Sequence, residues 1–325
     1  LGAKYQEKDH DVYNGGPSYY INNGLTDKKL AWIYSILIIV AYIVGFMTIQ
    51  ANTITTSIYN YYNINPIITG TILALISAVS IMKGLNSIVT ITSKLVPIIG
   101  IGYVLLSFII IIMNINQIPS VLLEIITSAL NTKALSGGII STFIIGIQRG
   151  VFSTEAGLGT GSIASSCSYS KNKINLGLLQ ILGIYFTVFI VCTSTALIIL
   201  TSNYININFQ NINGIELTQY ALNYHLGKTG IIVLILSVIS LAYSTIIAGY
   251  YYGESSLKFL IKNVTKAQIN TLKIVTILLL LIGSIVSATL LWKIIDILVA
   301  ILAIINMYAI LKLRKEIIIY YKNKK

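Results

Sequence analysis

Residues Gly146 to Ser165 read GIQRGVFSTEAGLGTGSIAS, between an apolar run from Ile139 to Ile145 and another from Gly177 to Leu200. The stretch holds Arg149, Glu155, several hydroxyls and five glycines, Gly146, Gly150, Gly157, Gly159 and Gly161. A helix packed against lipid does not carry such residues, because charges and bare backbone polar groups go unsatisfied in hydrocarbon. Irregular backbone at membrane depth is tolerated where it lines a cavity. The pattern therefore predicts a helix interrupted here, whose free N–H and C=O groups meet a ligand or an ion. On the residues alone, two other readings stay open: a glycine-rich packing face with a structural Arg–Glu pair, and a simple loop.

Composition sets this stretch in a membrane. The 325 residues are 55% hydrophobic and only 10% charged, with a mean hydropathy of +0.82; a soluble domain carries about 25% charged residues. Isoleucine is roughly one residue in five, so a single Ile carries little functional information. Cys167 and Cys192 lack metal-ligand spacing and read as small core residues. His10 and His225 lie outside the apolar runs and read as surface residues. A membrane enzyme needs a nucleophile and a base converging at a span end. Ser153 and Glu155 are present, but no His lies within a span, Asp296 stands alone near the start of the last one, and no phosphate or metal motif appears. The chain reads as a non-enzyme without a resident cofactor.

A crossing helix needs about 20 mostly apolar residues. The expected spans are Ala31–Tyr59, Ile67–Met82, Leu95–Met113, Gly137 to about Ser165 with the interruption, Leu176–Thr201, Gly230–Leu257, Ile274–Leu290 and Ile294–Leu311. That makes about eight transmembrane helices in an all-α membrane protein. Ile118–Leu130 is too short to cross, carries Glu124, and reads as an interfacial or re-entrant helix. Only Leu291, Trp292 and Lys293 separate the last two spans, as a tight turn. With the N-terminal loop inside, the outside loops hold only Lys133, Lys228 and Lys293, and Arg149 is left within a span; the other 18 of the 22 basic residues fall inside. This alternation obeys the positive-inside rule. It divides the chain into a cytoplasmic loop at 1–30, a transmembrane domain at 31–311 and a basic cytoplasmic tail at 312–325. The net charge of +12 then reflects anchoring beside anionic lipid, and no nucleic-acid partner is implied. The chain opens on Leu with a polar loop, LGAKYQEKDHDVYNGGPSYY, and no signal peptide. We expect an N-terminal truncation.

Several polar groups lie inside the apolar runs. Gln50 and Thr53 share one helix face of AYIVGFMTIQANTITTSIY, and Asn52 and Thr56 another. Such amides face protein, water or a solute, and helix–helix hydrogen bonding is the plain alternative. Ser244 and Thr245 in SLAYSTIIAGYYYGE present neutral oxygens, which suit a sodium ion, although both also bond back readily to their own helix. Glu254 sits at the cytoplasmic end of that run beside Lys258, where it snorkels outward. Arg149 and Glu155 are too far apart to meet within one straight helix; a break lets them pair or point to different helices, in a locking or gating role.

Arg149 to Gly159, RGVFSTEAGLG, resembles the signature of the alanine or glycine:cation symporter family, with Thr154 where Asn is usual. GGPSYYINNGL (Gly15 to Leu25), SKLVPIIGIGYVL (Ser93 to Leu105), NINQIPSVLLEIITSAL (Asn114 to Leu130), IVCTSTALIILTS (Ile190 to Ser202) and YSTIIAGYYYGE (Tyr243 to Glu254) are similar to further family segments, so the likeness runs along nearly the whole chain. The resemblance implies a LeuT-like fold, two inverted five-helix repeats around a midplane site, here lacking the first two core helices. The first span then corresponds to core helix three, the motif span to broken core helix six, and the eighth to core helix ten.

The same resemblance implies sodium-coupled symport of a small neutral amino acid, alanine or glycine, by alternating access. The setting is a bacterial or archaeal plasma membrane, with both termini of the chain cytoplasmic. Substrate contacts are expected from Gln50, Asn52, Phe152, Ser153, Thr154, Glu155, Gly157 and Gly159. Na+ is expected at the Leu241 carbonyl, Ser244 and Thr245, with H+ through Glu155 as the other coupling ion. Arg149 and Glu254 take structural or gating roles. Beyond solute and lipid bilayer, the expected partner is a missing N-terminal helix pair encoded upstream. The sequence departs from the family at Met47, where Asn is usual, at Phe46, where Gly is usual, and at Gly249, where Trp is frequent. The rival reading is an inactive remnant, or one part of a split transporter serving as a membrane binding or scaffold subunit.

Overall fold

The computed structural model describes residues 1–9, 12–130, 139–167, 169, 172–202 and 214–322. Lys133, Gly137, Lys171, Lys324 and Lys325, which enter the span and charge reading, and His10, read as a surface residue, lie outside these residues.

A short antiparallel hairpin, β1 (Glu7–Asp9) with β2 (Val12–Asn14), precedes an otherwise helical chain. Helix α1 (Pro17–Gly24) opens on proline, whose fixed φ suits the first helical position. Asp27 caps α2 (Lys28–Ile39) by accepting from the Leu30 N–H at 2.9 Å. A π-helical segment, Val40–Phe46, joins α2 to α3 (Met47–Tyr62), and the three form one span of 35 residues. Asn65 caps α4 (Pro66–Met82), and Lys83 and Gly84 turn the chain into α5 (Leu85–Met113). There follow α6 (Ile118–Leu130), α7 (Ile139–Thr154) and α8 (Thr160–Ser165). Next come α9 (Lys173–Phe186), a second π-helical segment (Thr187–Cys192) and α10 (Thr193–Leu200). Helix α11 (Ile215–Leu260) breaks at Gly227, with φ 58° and ψ −145°. A reciprocal cap between Thr265 and Gln268 opens α12 (Lys266–Gly283), and α13 (Ala288–Lys312) and α14 (Arg314–Lys322) complete the chain.

Among the described residues, six helical stretches are long and apolar enough to cross a membrane: 28–62, 85–113, 173–200, 215–260, 266–283 and 288–312. The apolar α4 is shorter at 17 residues, and α7 with α8 forms the interrupted segment. Two boundaries differ from the sequence reading. Helix α5 starts at Leu85 rather than Leu95 and contains Lys94 and Pro97, because the connection is only two residues long and the polar stretch before Leu95 supplies its first turns. Leu291, Trp292 and Lys293 do not form the last turn; they lie inside α13, and the connection is 284–287. Apolar runs mark depth, whereas helix ends follow local backbone, here the extended Ser287.

The centre of the bundle is the 28–62 span packed against α11. Over the most apolar 18 residues of each, about half are buried (56% and 50%), against 17% for α5 and 11% for the α9–α10 span, which form the periphery. Tyr20, Tyr34, Tyr42, Phe46, Met47 and Tyr250 are among the largest fully buried side chains. Large apolar side chains such as Ile98 and Phe189 are exposed on the outside of the bundle.

Candidate functional site

The interruption lies where the sequence placed it. Helix α7 ends at Thr154, whose Oγ1 donates to the Gly150 carbonyl (2.8 Å) and accepts from the Ala156 N–H (3.2 Å). Glu155, Gly157 and Gly159 then take positive φ, at 52°, 83° and 94°. A non-glycine residue there is uncommon, and Glu155 is held in it: its carboxylate accepts from Thr160 Oγ1 and its carbonyl from the Leu158 N–H at 3.1 Å. Glu155 and Arg149 point to different partners. Arg149 forms an ion pair with Asp296 on α13, and its guanidinium lies 4.1 Å from the Trp292 ring centroid. Asp296, which stood alone in the sequence, is therefore the partner of the motif arginine.

The loop is fastened from three sides. Tyr34 on α2 donates its hydroxyl to the Leu158 carbonyl. Asn306 on α13 donates its amide to the Gly157 carbonyl at 2.7 Å and accepts from the Tyr20 hydroxyl of α1. A Cβ at Gly159 would stand 2.3 Å from Pro17 Cγ, and one at Gly16 2.5 Å from Ile163 Cγ1. The GGPSYY segment thus packs directly on the interruption. Sequence reasoning missed Tyr20, Tyr34 and Asn306, which sit in separate segments with no local feature tying them to the motif.

An aromatic row leads away from the end of α7. Phe152 stacks on Phe46 (centroids 4.6 Å apart, planes at 1°), and Phe46 on Tyr42 (4.4 Å, 3°). Tyr252 meets Tyr42 edge-on at one end, and Trp292 meets Phe152 edge-on at the other. Gln50 follows Phe46 by four residues and so shares its helix face. Asn52 is committed elsewhere: its amide donates to the Val286 carbonyl at 2.8 Å and ties α3 to the 284–287 connection. Ser153 Oγ lies 3.3 Å from the sulfur of Cys192, an exposed residue rather than the core one expected. Phe46 and Cys192 both belong to π-helical segments, a geometry frequent at functional sites.

Ser244 and Thr245 both donate to the Leu241 carbonyl, at 2.7 and 3.1 Å, so three oxygens converge on one turn of α11. One turn further on, a Cβ at Gly249 would lie 3.3 Å from Tyr42 Cδ1 and 3.7 Å from Met47 Cε. Large Met47 and small Gly249 are therefore complementary, and with Gly253 against Ile43 one turn on, this register sets the oxygen cluster near the level of Gln50. Glu254 pairs with Lys258 at 2.9 Å. An open cavity of about 480 Å³ lies apart from all of this, between the end of α3 and the start of α11, lined by Tyr59, Asn60, Glu216 and Gln219 among others.

A broken helix with neutral oxygens and aromatic walls, enclosed in apolar helices, defines a multi-pass membrane protein of the carrier type. The chain belongs to the sodium:alanine symporter family, whose family model matches residues 1–324. It is 32% identical over 324 residues to the amino-acid carrier protein AlsT of Bacillus subtilis, covering 99% of this chain and 68% of that protein. It is 36% identical over 315 residues to an uncharacterized transporter of Haemophilus influenzae (95% and 64%). It is 32% identical over 321 residues to the sodium/alanine symporter AgcS of Methanococcus maripaludis (96% and 70%). The chain thus spans about two thirds of the length of these relatives.

Proposed function

We propose that this chain works in sodium-coupled symport of a small neutral amino acid, alanine or glycine, in the plasma membrane. The observation that carries the reading is the interruption itself, set beside Phe152 with Phe46 and Gln50 on the facing helix. Family membership supports it, and so does the printed name of the Methanococcus relative, a sodium/alanine symporter.

The chemistry follows from which groups remain free. The last carbonyls of a helix lack intrahelical partners and carry its negative dipole end, so the end of α7 favours a substrate ammonium. The Gly157 and Leu158 carbonyls are already taken by Asn306 and Tyr34. Substrate contact therefore falls to Phe152, Ser153, the backbone carbonyl of Thr154 and Gln50, with the Phe46–Phe152 stack limiting side-chain size. Leu241, Ser244 and Thr245 offer Na+ three neutral oxygens once the two hydroxyls turn their protons away. Ion binding drives transport only through different affinity for the two access states. Glu155 is the group through which a proton would substitute. The LeuT-like reading places both termini inside, in keeping with the basic residues.

The test is uptake of alanine and glycine by the purified protein in liposomes under an imposed Na+ gradient. Ser244→Ala with Thr245→Ala is expected to raise the Na+ concentration for half-maximal uptake about tenfold, a loss of about 1.4 kcal/mol of ion binding. Uptake driven equally well by a proton gradient without Na+ would move the coupling to Glu155. Absence of any uptake would leave the scaffold reading standing.

A further inference from the structure

We infer that Asn306 is a positioning residue that sets substrate affinity by fastening the interrupted helix to α13. It is 1% exposed and lies among the buried Leu302 and Ala309 of an apolar helix. Both halves of its amide are used: Nδ2 donates to the Gly157 carbonyl at 2.7 Å, and Oδ1 accepts from the Tyr20 hydroxyl. The orientation is fixed by chemistry, because a backbone carbonyl only accepts and so must face the NH2 group. The partner carbonyl belongs to Gly157, at φ 83°, in a loop whose geometry no helix enforces.

Two observations show what the fastening controls. Tyr34, fully buried on α2, binds the next carbonyl, Leu158, so consecutive carbonyls are held from two separate helices. Gly159 has no room to slide, with the Asn306 and Pro17 side chains and the Tyr34 hydroxyl around its α-carbon. The stretch from Phe152 to Ala156, which leads into this loop, is thereby set at a fixed place relative to α13. A loop released from Asn306 must be ordered again each time substrate binds, which lowers affinity without altering the transport step.

The kinetic part of this inference rests on the symport reading; the structural part does not. The experiment compares the full chain with Asn306→Ala, Asn306→Asp and Tyr34→Phe. Asn306→Asp keeps the acceptor for Tyr20 and loses the donor to Gly157. In liposomes, the KM for alanine is expected to rise about tenfold in both Asn306 variants and about threefold in Tyr34→Phe. The maximal rate per folded protein is expected to stay within about twofold. A fall in folded protein or maximal rate with KM unchanged would make Asn306 merely structural and overturn the inference. In parallel, amide hydrogen exchange of residues 155–160 is expected to quicken in Asn306→Ala while the core of α11 stays protected; unchanged exchange in the loop also overturns it. If the unsubstituted chain takes up neither amino acid, the symport reading fails and hydrogen exchange alone decides the fastening.

Discussion

At Gly159 an added methyl group meets two obstacles at once. The residue sits at φ 94°, and its Cβ would come within 2.3 Å of Pro17 Cγ and 3.1 Å of Asn306 Cγ. The left-handed backbone alone costs an ordinary residue about 1–2 kcal/mol, and forced contacts in a filled space add about as much again. Gly159→Ala is therefore expected to destabilise the protein by about 3 kcal/mol, read as a lowered thermal midpoint in detergent. Gly150→Ala is its control: that glycine lies within α7 with open space where the Cβ would go, so its thermal midpoint should hold or rise slightly. The run of glycines was legible as a break because bare backbone and positive φ have few other uses in an apolar segment. Which glycine was indispensable was not, because that depends on Pro17 and Asn306, far away in the chain. Glu155 at φ 52° gave no signal either, since a glutamate rarely adopts that backbone.

Between elements, α13 grips the interrupted helix at two heights. Asp296 and Trp292 hold Arg149 within α7, and Asn306, about three turns further along, holds the loop beyond its end. Removing one member of the ion pair strands a charge at membrane depth. Asp296→Asn is expected to cost about 1–2 kcal/mol of stability, less than a fully buried pair because both side chains are partly exposed. Arg149→Met with Asp296→Leu should cost less than the sum of the two single changes, because neither charge is then left alone. A coupling of at least about 1 kcal/mol in a double-mutant cycle of thermal stability checks this; independent, additive losses would show that the pair does not act as one. The arginine was legible as an oddity in an apolar run, and the sequence left its partner open, for Asp296 lies 147 residues away. Most helices were legible because lipid demands long apolar runs. The ends of α5 and α12 were not, since caps and two-residue connections place them and hydropathy does not register those.

Across the whole molecule, the two ends of the described chain meet. Lys4 pairs with Glu316 of α14 at 2.6 Å, Tyr5 donates its hydroxyl to the same carboxylate, and the α-carbon of Gly24 packs against Leu313. The segment around Lys4 to Gly24 and the start of α14 therefore share one side of the bundle. This contact is expected to open in acid. Hydrogen bonds from Lys4 and Tyr5 hold the Glu316 carboxyl below its ordinary range, and the bond to Glu316 holds the Lys4 ammonium above its own. A lowered carboxylate pKa contributes stability that is complete above the ordinary carboxylate range and is lost as pH falls through the lowered folded value. A raised ammonium pKa contributes stability that is complete below the ordinary lysine range and is lost as pH rises through the raised folded value. The tie is thus complete across the neutral range and opens at both extremes. Because both side chains are partly exposed, high salt should weaken it without unfolding the bundle. Hydrogen exchange of residues 1–9, corrected for intrinsic rates, is expected to gain openness below the carboxylate range in the unsubstituted protein. In Glu316→Gln the same segment should be open at neutral pH and show no acid transition. An acid transition that persists in Glu316→Gln would place the sensitive group elsewhere and remove this contact as the link between the two ends.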